Sequence, residues 1–406
     1  MRIIVVNDHG SVTGGAAQVA IASLNGLAEI GEDVTFLSSV GPVDWVNINP
    51  RVRVINFGFE DLLGNQSRLN AAIHGIWDLR CARAFGMVLN EYNKNDTIIH
   101  LHTWVKALSA SVIHEALKRG FKIVVTLHDY FSVCPNGGLY NFSTHTHCLI
   151  KPMSISCALE NCDSRNYTQK IWRFMRHMMQ IKIGGMPTRI DNFIFVSDYS
   201  KNLMIPYFRT DAKLFQVRNP ISIPRLPLST ESKSNIFTFV GRLSSEKGGA
   251  VFAAAAKKAN VRAVFVGQGS EKDWILKIYP NAEILGWKDR SDVISCMKAS
   301  RAVVFPSLLH ETQGLVVAEA AALGIPCIVS DGCAAREGVV DGVSGLLFRS
   351  GDVDDLSRKI SMLNSDQALA LRLGQAAYIR YWADPSTLER HVLELMECYG
   401  RIMNES

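Results

Sequence analysis

Short, unbroken apolar runs alternate along this chain with longer segments of helical period. Arg2–Asn7 (Arg-Ile-Ile-Val-Val-Asn) is too short and too evenly apolar for an amphipathic helix and reads as a buried strand. A turn carrying Gly10, Gly14 and Gly15 follows, then helical periodicity over Ala16–Ile30 and a strand over Asp33–Leu37. Strand–loop–helix–strand is the unit of a parallel sheet. The pattern continues with strands over Thr97–Leu101, Lys122–Thr126 and Asn192–Val196 and a helix over Val105–Arg119. It restarts at Ile236–Val240, with strands over Ala263–Val266, Ala282–Leu285, Ala302–Phe305 and Cys327–Val329 and a Gly-Leu-Leu-Phe strand ahead of Asp352. The class predicted is α/β, with two Rossmann-like parallel-sheet domains in series, 1–207 and 208–383. An amphipathic segment over 384–406 follows Asp384-Pro385 and could pack on either domain. Ligands of such sheets sit beyond the carboxyl ends of the strands. Two such domains facing across a cleft could hold a donor on one side and an acceptor on the other.

Composition narrows the classes. Of the 406 residues 48% are hydrophobic and 20% charged, which excludes a disordered or collagen-like chain. A net charge of +5 is too mild to imply nucleic acid. No uncharged apolar run reaches the ~18 residues of a membrane span. Only four apolar residues follow Met1-Arg2 before Asn7-Asp8-His9-Gly10, so no signal peptide is expected. That predicts a cytoplasmic chain whose nine cysteines are thiols or metal ligands.

Several segments could carry chemistry. His310-Glu311-Thr-Gln-Gly314-Leu315 leads from a strand into a helix predicted over Gln313–Leu323. The free N–H groups of its first turn favour an anion, and Gly314 would let a ligand approach the backbone. Glu311 precedes that helix, and Glu319 lies two turns inside it among Val317, Ala318, Ala320 and Ala321. Two carboxylates so placed could hold sugar hydroxyls; otherwise they are a helix-entry charge and a surface residue. Gly241-Arg242-Leu-Ser-Ser-Glu-Lys247-Gly248-Gly249 follows a strand directly. Arg242 and Lys247 there could clamp a diphosphate or belong to a solvated loop. The segment lacks the ending of a P-loop, and Gly14-Gly15 does not fit the dinucleotide fingerprint, which disfavours an NAD oxidoreductase. Gly267-Gln-Gly269 could be only a turn. His128 ends a strand and could bond a sugar hydroxyl or be structural; His100 and His102 share one face of another strand.

As a set, these motifs resemble the retaining glycosyltransferases of the GT-B fold, in the large family numbered four. The resemblance spans nearly the whole chain. It rests on Gly14-Gly15, Thr-Leu-His128-Asp, Val196-Ser-Asp-Tyr-Ser, Asn219-Pro, Gly241-Arg-Leu-Ser-Ser-Glu-Lys247-Gly, Gly286-Trp287 and the Glu311…Glu319 pair. It implies a nucleotide-diphosphate sugar donor and a glycan or lipid-linked glycan acceptor, joined with retention in cell-surface polysaccharide biosynthesis. Arg242 and Lys247 would bind the diphosphate, Glu319 the ribose, and Glu311 with the amides near Gly314 and Leu315 the donor sugar. His128 would touch that sugar, Gly15 would approach the phosphate or sugar, and Gly286 would lie near the base. The final helix would cross back to the first domain. Where the family commonly has an aromatic residue before the glycine, this chain has Gln313, which bears on the choice of donor sugar.

No metal or other cofactor is expected, because two cations can stabilise the leaving diphosphate. Asp352-Val-Asp354 is read as a helix start rather than a metal site. Residues 165–183 mix Lys and Arg with Trp172, Phe174 and methionines. Such a helix could lie on an anionic membrane, at its inner face, or pack on its own domain. Cys134, Cys148, Cys157 and Cys162 cluster without the paired spacing of a zinc ribbon, and free thiols are the default. The rival functions are a sugar-nucleotide epimerase or phosphorylase and a non-catalytic nucleotide-sugar-binding protein.

Overall fold

The computed structural model describes residues 1–228 and 234–404. The chain divides into two compact units. The first holds Met1–Ser143, Cys148–Pro220 and Thr387–Ser406, and the second holds Thr144–His147 and Ile221–Ser386.

The first unit is built on a seven-stranded sheet. Its strands are β1 (Arg2–His9), β2 (Asp33–Val40), β3 (Arg53–Asn56), β4 (Thr97–Leu101), β5 (Lys122–Thr126), β6 (Asn192–Phe195) and β7 (Lys213–Gln216). They lie in the order β3-β2-β1-β4-β5-β6-β7, with every pairing parallel. Alternate residues of β1 serve opposite faces, as strand geometry requires. Ile4 and Val6 join a core with Phe85, Leu108 and Phe193, while Ile3 and Val5 join Leu24, Phe36 and Leu395. The helix Leu388–Asn404 belongs to this second core. It lies on the helix Gly15–Glu29, where a side chain at Gly26 would strike Val392 at 2.5 Å. Tyr399 Oη lies 2.6 Å from His100 Nδ1, and Ser23 Oγ 2.7 Å from His391 Nε2.

The second unit carries six strands: β8 (Ile236–Val240), β9 (Arg262–Val266), β10 (Glu283–Gly286), β11 (Ala302–Phe305), β12 (Cys327–Ser330) and β13 (Gly345–Phe348). Their order is β10-β9-β8-β11-β12-β13, again wholly parallel. In both units strand order turns back, between β1 and β4 in the first and between β8 and β11 in the second. These are the points where loops diverge and leave a crevice for a ligand.

Two expectations fail locally. The helix expected over Val105–Arg119 begins only at Ser111. Asp8, fully buried at the end of β1, takes the backbone N–H groups of Lys106, Ala107 and Leu108 at 2.9–3.0 Å, which fixes that stretch as a loop. The division expected at 207/208 lies instead at Pro220–Ile221, because Lys213–Gln216 pairs with Asn192–Phe195 and keeps 208–220 with the first sheet. Among the described residues no helix is long and apolar enough to cross a membrane.

The Asp8 contacts generate a stability prediction. Asp8→Ala strands three amide donors, two of them buried, and should cost about 3 kcal/mol, read as a lowered urea midpoint for the first unit. An unchanged midpoint would mean that the loop finds other acceptors.

Candidate active site

In the second unit the loop after β8 and the loop after β11 are locked together by backbone contacts. Glu246 O accepts from the amides of Leu308 at 2.9 Å and Leu309 at 3.2 Å. Gly248 has φ +71°, and a Cβ there would lie 2.0 Å from Pro306 O. Gly267 and Gly269 do more than turn the chain. Side chains at these positions would overlap Gly241 O and Leu243 O, while Leu243 N donates to Gln268 O at 3.0 Å. The loop bearing Arg242 and Lys247 is therefore pressed between two others, and only glycine fits the crossings.

This packing brings two of the expected residues together. Lys247 Nζ donates to Glu311 Oε1 at 2.6 Å, and Ser307 Oγ donates to the same oxygen at 2.7 Å. Glu311 holds a left-handed backbone, φ +41°, costing on the order of 1 kcal/mol and concentrated in proteins at functional sites. Ser307 was not singled out from the sequence; a serine four residues before a glutamate carries no distinctive signal. Arg242 is exposed.

The helix Leu315–Ala322 starts just beyond Glu311. Gly314 is required there for packing, since its Cβ would meet that of Ala335 at 2.4 Å. This gives the glycine a structural reason apart from close approach by a ligand. Leu315 opens the helix behind Gly314, which has no side chain with which to cap it. Glu319, on the same helix, pairs with Arg290 at 3.1 Å and not with Lys247. Burial raises the Glu319 pKa, and Arg290 only partly offsets it. Gly286, at the end of β10 with φ +71°, accepts from Gly267 N at 2.8 Å, and Trp287 beside it is exposed.

The remaining expected residues belong to the first unit. Gly15 opens the helix Gly15–Glu29 and is exposed, as is Gly14. His128 follows β5 and lies 2.9 Å from His102 Nδ1 through its Nε2. His102 in turn packs beside His100, with ring centroids 4.2 Å apart. Burial first, and His391 second, push His128 down to about 3; burial likewise holds His100 and His102 well below the ordinary range. All three imidazoles are neutral near pH 7. His128 can therefore offer or accept a hydrogen bond but brings no positive charge.

The helix Tyr167–Met179 turns inward much of what had suggested a membrane surface. Trp172 Nε1 donates to Ala72 O at 2.9 Å, and Lys170, Arg176 and His177 are buried. Asp352 caps the helix Val353–Ser365 by accepting from the amides of Asp354 and Asp355. Among the described residues no group of three or more His, Cys, Asp or Glu is arranged to hold a metal ion.

The buried carboxylate yields a pH prediction. A folded-state pKa above the unfolded one means that the folded chain binds the extra proton, so Glu319 costs stability as pH rises through its folded value. Glu319→Gln should raise the melting temperature at pH 7.5, and the gain should vanish at pH ~4. A gain that does not fall with pH would show that this ionisation is not involved.

Residues 225–380 match the glycosyl transferases group 1 family. A glycogen synthase of Mycobacterium tuberculosis is 28% identical over 189 residues, covering 43% of this chain and 45% of its own. The chain thus spans less than half the length of that relative. HepE from Anabaena, in complex with UDP, superposes with a TM-score of 0.69 at 16% identity, covering 99% of this chain and 100% of HepE. Sucrose-phosphate synthase from Thermosynechococcus elongatus gives a TM-score of 0.73 at 18% identity, with 100% of both chains covered. Residues 225–380 are therefore similar to the glycosyl transferases group 1 family, and the chain as a whole has the GT-B fold.

Proposed function

We propose that this chain is a glycosyltransferase that moves a sugar from a nucleoside-diphosphate donor to a glycan or lipid-linked glycan acceptor, with retention at the anomeric carbon, in cell-surface polysaccharide synthesis. The observation that carries this reading is the 2.6 Å contact between Lys247 and Glu311, at the point where strand order turns back and beside a helix start. Breaking an anomeric carbon–oxygen bond leaves negative charge on the diphosphate and positive character on the sugar. A fixed ammonium favours the first, and a fixed carboxylate can accept the sugar's hydroxyls. Arg242, free to swing from an exposed position, would add a second cation. Amides at Gly314 and Leu315 would face an anion, and Glu319 would take the ribose hydroxyls in exchange for Arg290. For Gly15, His128 and the base-side Gly286 the assignment rests on the resemblance. With two cations at the leaving group, the transfer would need no divalent metal.

UDP is the first nucleotide to test, since HepE was crystallised with it. A sugar-nucleotide epimerase would turn over donor without acceptor, and a binding protein would not turn it over at all. Any bilayer contact would fall to the exposed Ile171, Met175 and Ile183 of the 165–183 segment.

The reading makes three predictions. Among UDP, GDP, ADP and CMP, one nucleoside diphosphate should raise the melting temperature. Lys247→Ala and Glu311→Ala should each cut turnover with that donor about 10²–10³-fold, unaffected by EDTA, while the fold is kept. Near wild-type turnover in both variants would remove the site assignment. For the membrane, the chain should float with anionic liposomes at low salt and lose that binding on Ile171→Asp/Met175→Asp; no flotation would remove the membrane contact.

A further inference from the structure

Far from Lys247 in sequence, the first unit buries a lysine among sulfurs. Lys170, in the helix Tyr167–Met179, is 1% exposed, and Cys157 and Cys162 are 7% and 4% exposed. Both hydrogen bonds of the ammonium go to sulfur, at 3.4 Å to Cys157 and 3.3 Å to Cys162. The neighbouring carboxylate of Asp163 is paired with Arg173 at 2.9 Å. A buried ammonium normally requires an anionic partner. Among the described residues its hydrogen bonds go only to the two thiols, and an ionised thiol would supply that charge. Asn136 Nδ2 also approaches Cys162 Sγ, at 3.8 Å, so two donors face that sulfur. Burial raises the Cys162 pKa, and Lys170 offsets that only in part.

A sulfur so placed is an oxidation target whose nearest nucleophile is an amine. We propose that Lys170 and Cys162 form a peroxide-sensitive modification site that closes into a covalent sulfur–nitrogen link. Two steps balance the reaction. The ionised Cys162 sulfur attacks hydrogen peroxide: an S–O bond forms, the O–O bond breaks, and the departing hydroxide takes a proton from the Lys170 ammonium and leaves as water, giving a sulfenic acid beside a neutral amine. The neutral Lys170 nitrogen then attacks sulfur: an S–N bond forms, the S–O bond breaks, and the hydroxyl leaves with an amine proton as a second water. In sum, thiolate, ammonium and peroxide give a sulfenamide and two waters, with sulfur oxidised and peroxide reduced. Two molecules of an external thiol reverse the link, restoring Cys162 and Lys170 and leaving their own disulfide. Peroxide is small enough to reach a nearly buried sulfur, and Cys157 keeps an edge at the surface. The link would tie the helix Tyr167–Met179 to the loop that precedes it. This proposal is independent of the reading of the transfer site.

Peptide mapping of the whole protein tests it. After treatment with stoichiometric hydrogen peroxide and digestion without reductant, mass spectrometry should find the Cys162 and Lys170 peptides joined. Their combined mass should be lower by two hydrogens, and dithiothreitol should separate them. Cys157→Ser should keep the link, and Lys170→Arg, which retains the cation, should abolish it. A Cys157–Cys162 disulfide, a sulfinic acid on Cys162, or unmodified thiols in the wild-type map would each overturn the proposal, whether or not the variants fold.

Discussion

The candidate site depends on a carboxylate held against an ammonium at the place where a parallel sheet turns back on itself. Neighbouring strands β8 and β11 send their loops in opposite directions, so a crevice opens without any special sequence. What is particular to this chain is how firmly that crevice is lined. Backbone meets backbone at Gly248 and Pro306, and again where Gly267 and Gly269 pass the loop after β8. Glu246 ties the two loops through its carbonyl, and Ser307 fixes the Glu311 oxygen that Lys247 also contacts. The left-handed backbone at Glu311 is tolerated because these neighbours leave it no alternative. A group positioned by this many independent contacts can meet a developing charge without first reorganising.

The sequence disclosed the parts of the fold that are buried on both faces. Runs such as Ile3–Val6 and Ala302–Val304 are fully buried, and their uniform apolarity marks them as central strands. The edge strands Arg53–Asn56 and Lys213–Gln216 are only partly buried, and four residues of mixed character carry too little signal to separate strand from loop. Residues 105–110 look helical by periodicity alone. Asp8, nearly a hundred residues earlier, overrides that preference by claiming their amides, and local pattern cannot report a partner so distant. The glycines show the same limit. Gly314 looks in sequence like room for a ligand, whereas Ala335 occupies the space its side chain would fill. Arg290 and Ser307 went unnoticed because single polar residues acquire meaning only from the carboxylates they meet.

Charge is distributed differently in the two units. In the first, the histidines at the ends of β4 and β5 are stripped of positive charge by burial, so they can direct hydrogen bonds but cannot hold a diphosphate. In the second, Lys247 and Arg290 keep partial contact with solvent, at 24% and 39% side-chain exposure, and each is matched with a glutamate. Full burial of these cations would demand permanent counter-charges and would leave them unavailable to an incoming anion.

Such pairs are easily exchanged. A partly exposed ion pair contributes on the order of 1 kcal/mol, because water already screens it. On the proposed reading, an incoming diphosphate would replace Glu311 as the partner of Lys247 at modest cost. The freed carboxylate then needs hydrogen-bond donors, and a sugar hydroxyl offers one on the same side of the loop. The same reasoning holds for Glu319 on the proposed reading: surrendering Arg290 would leave a mostly buried carboxylate in want of donors, a need that paired ribose hydroxyls would satisfy without adding charge. Each glutamate is thus kept in place by a cation it can give up, which lets one arrangement be both preorganised and open to ligand.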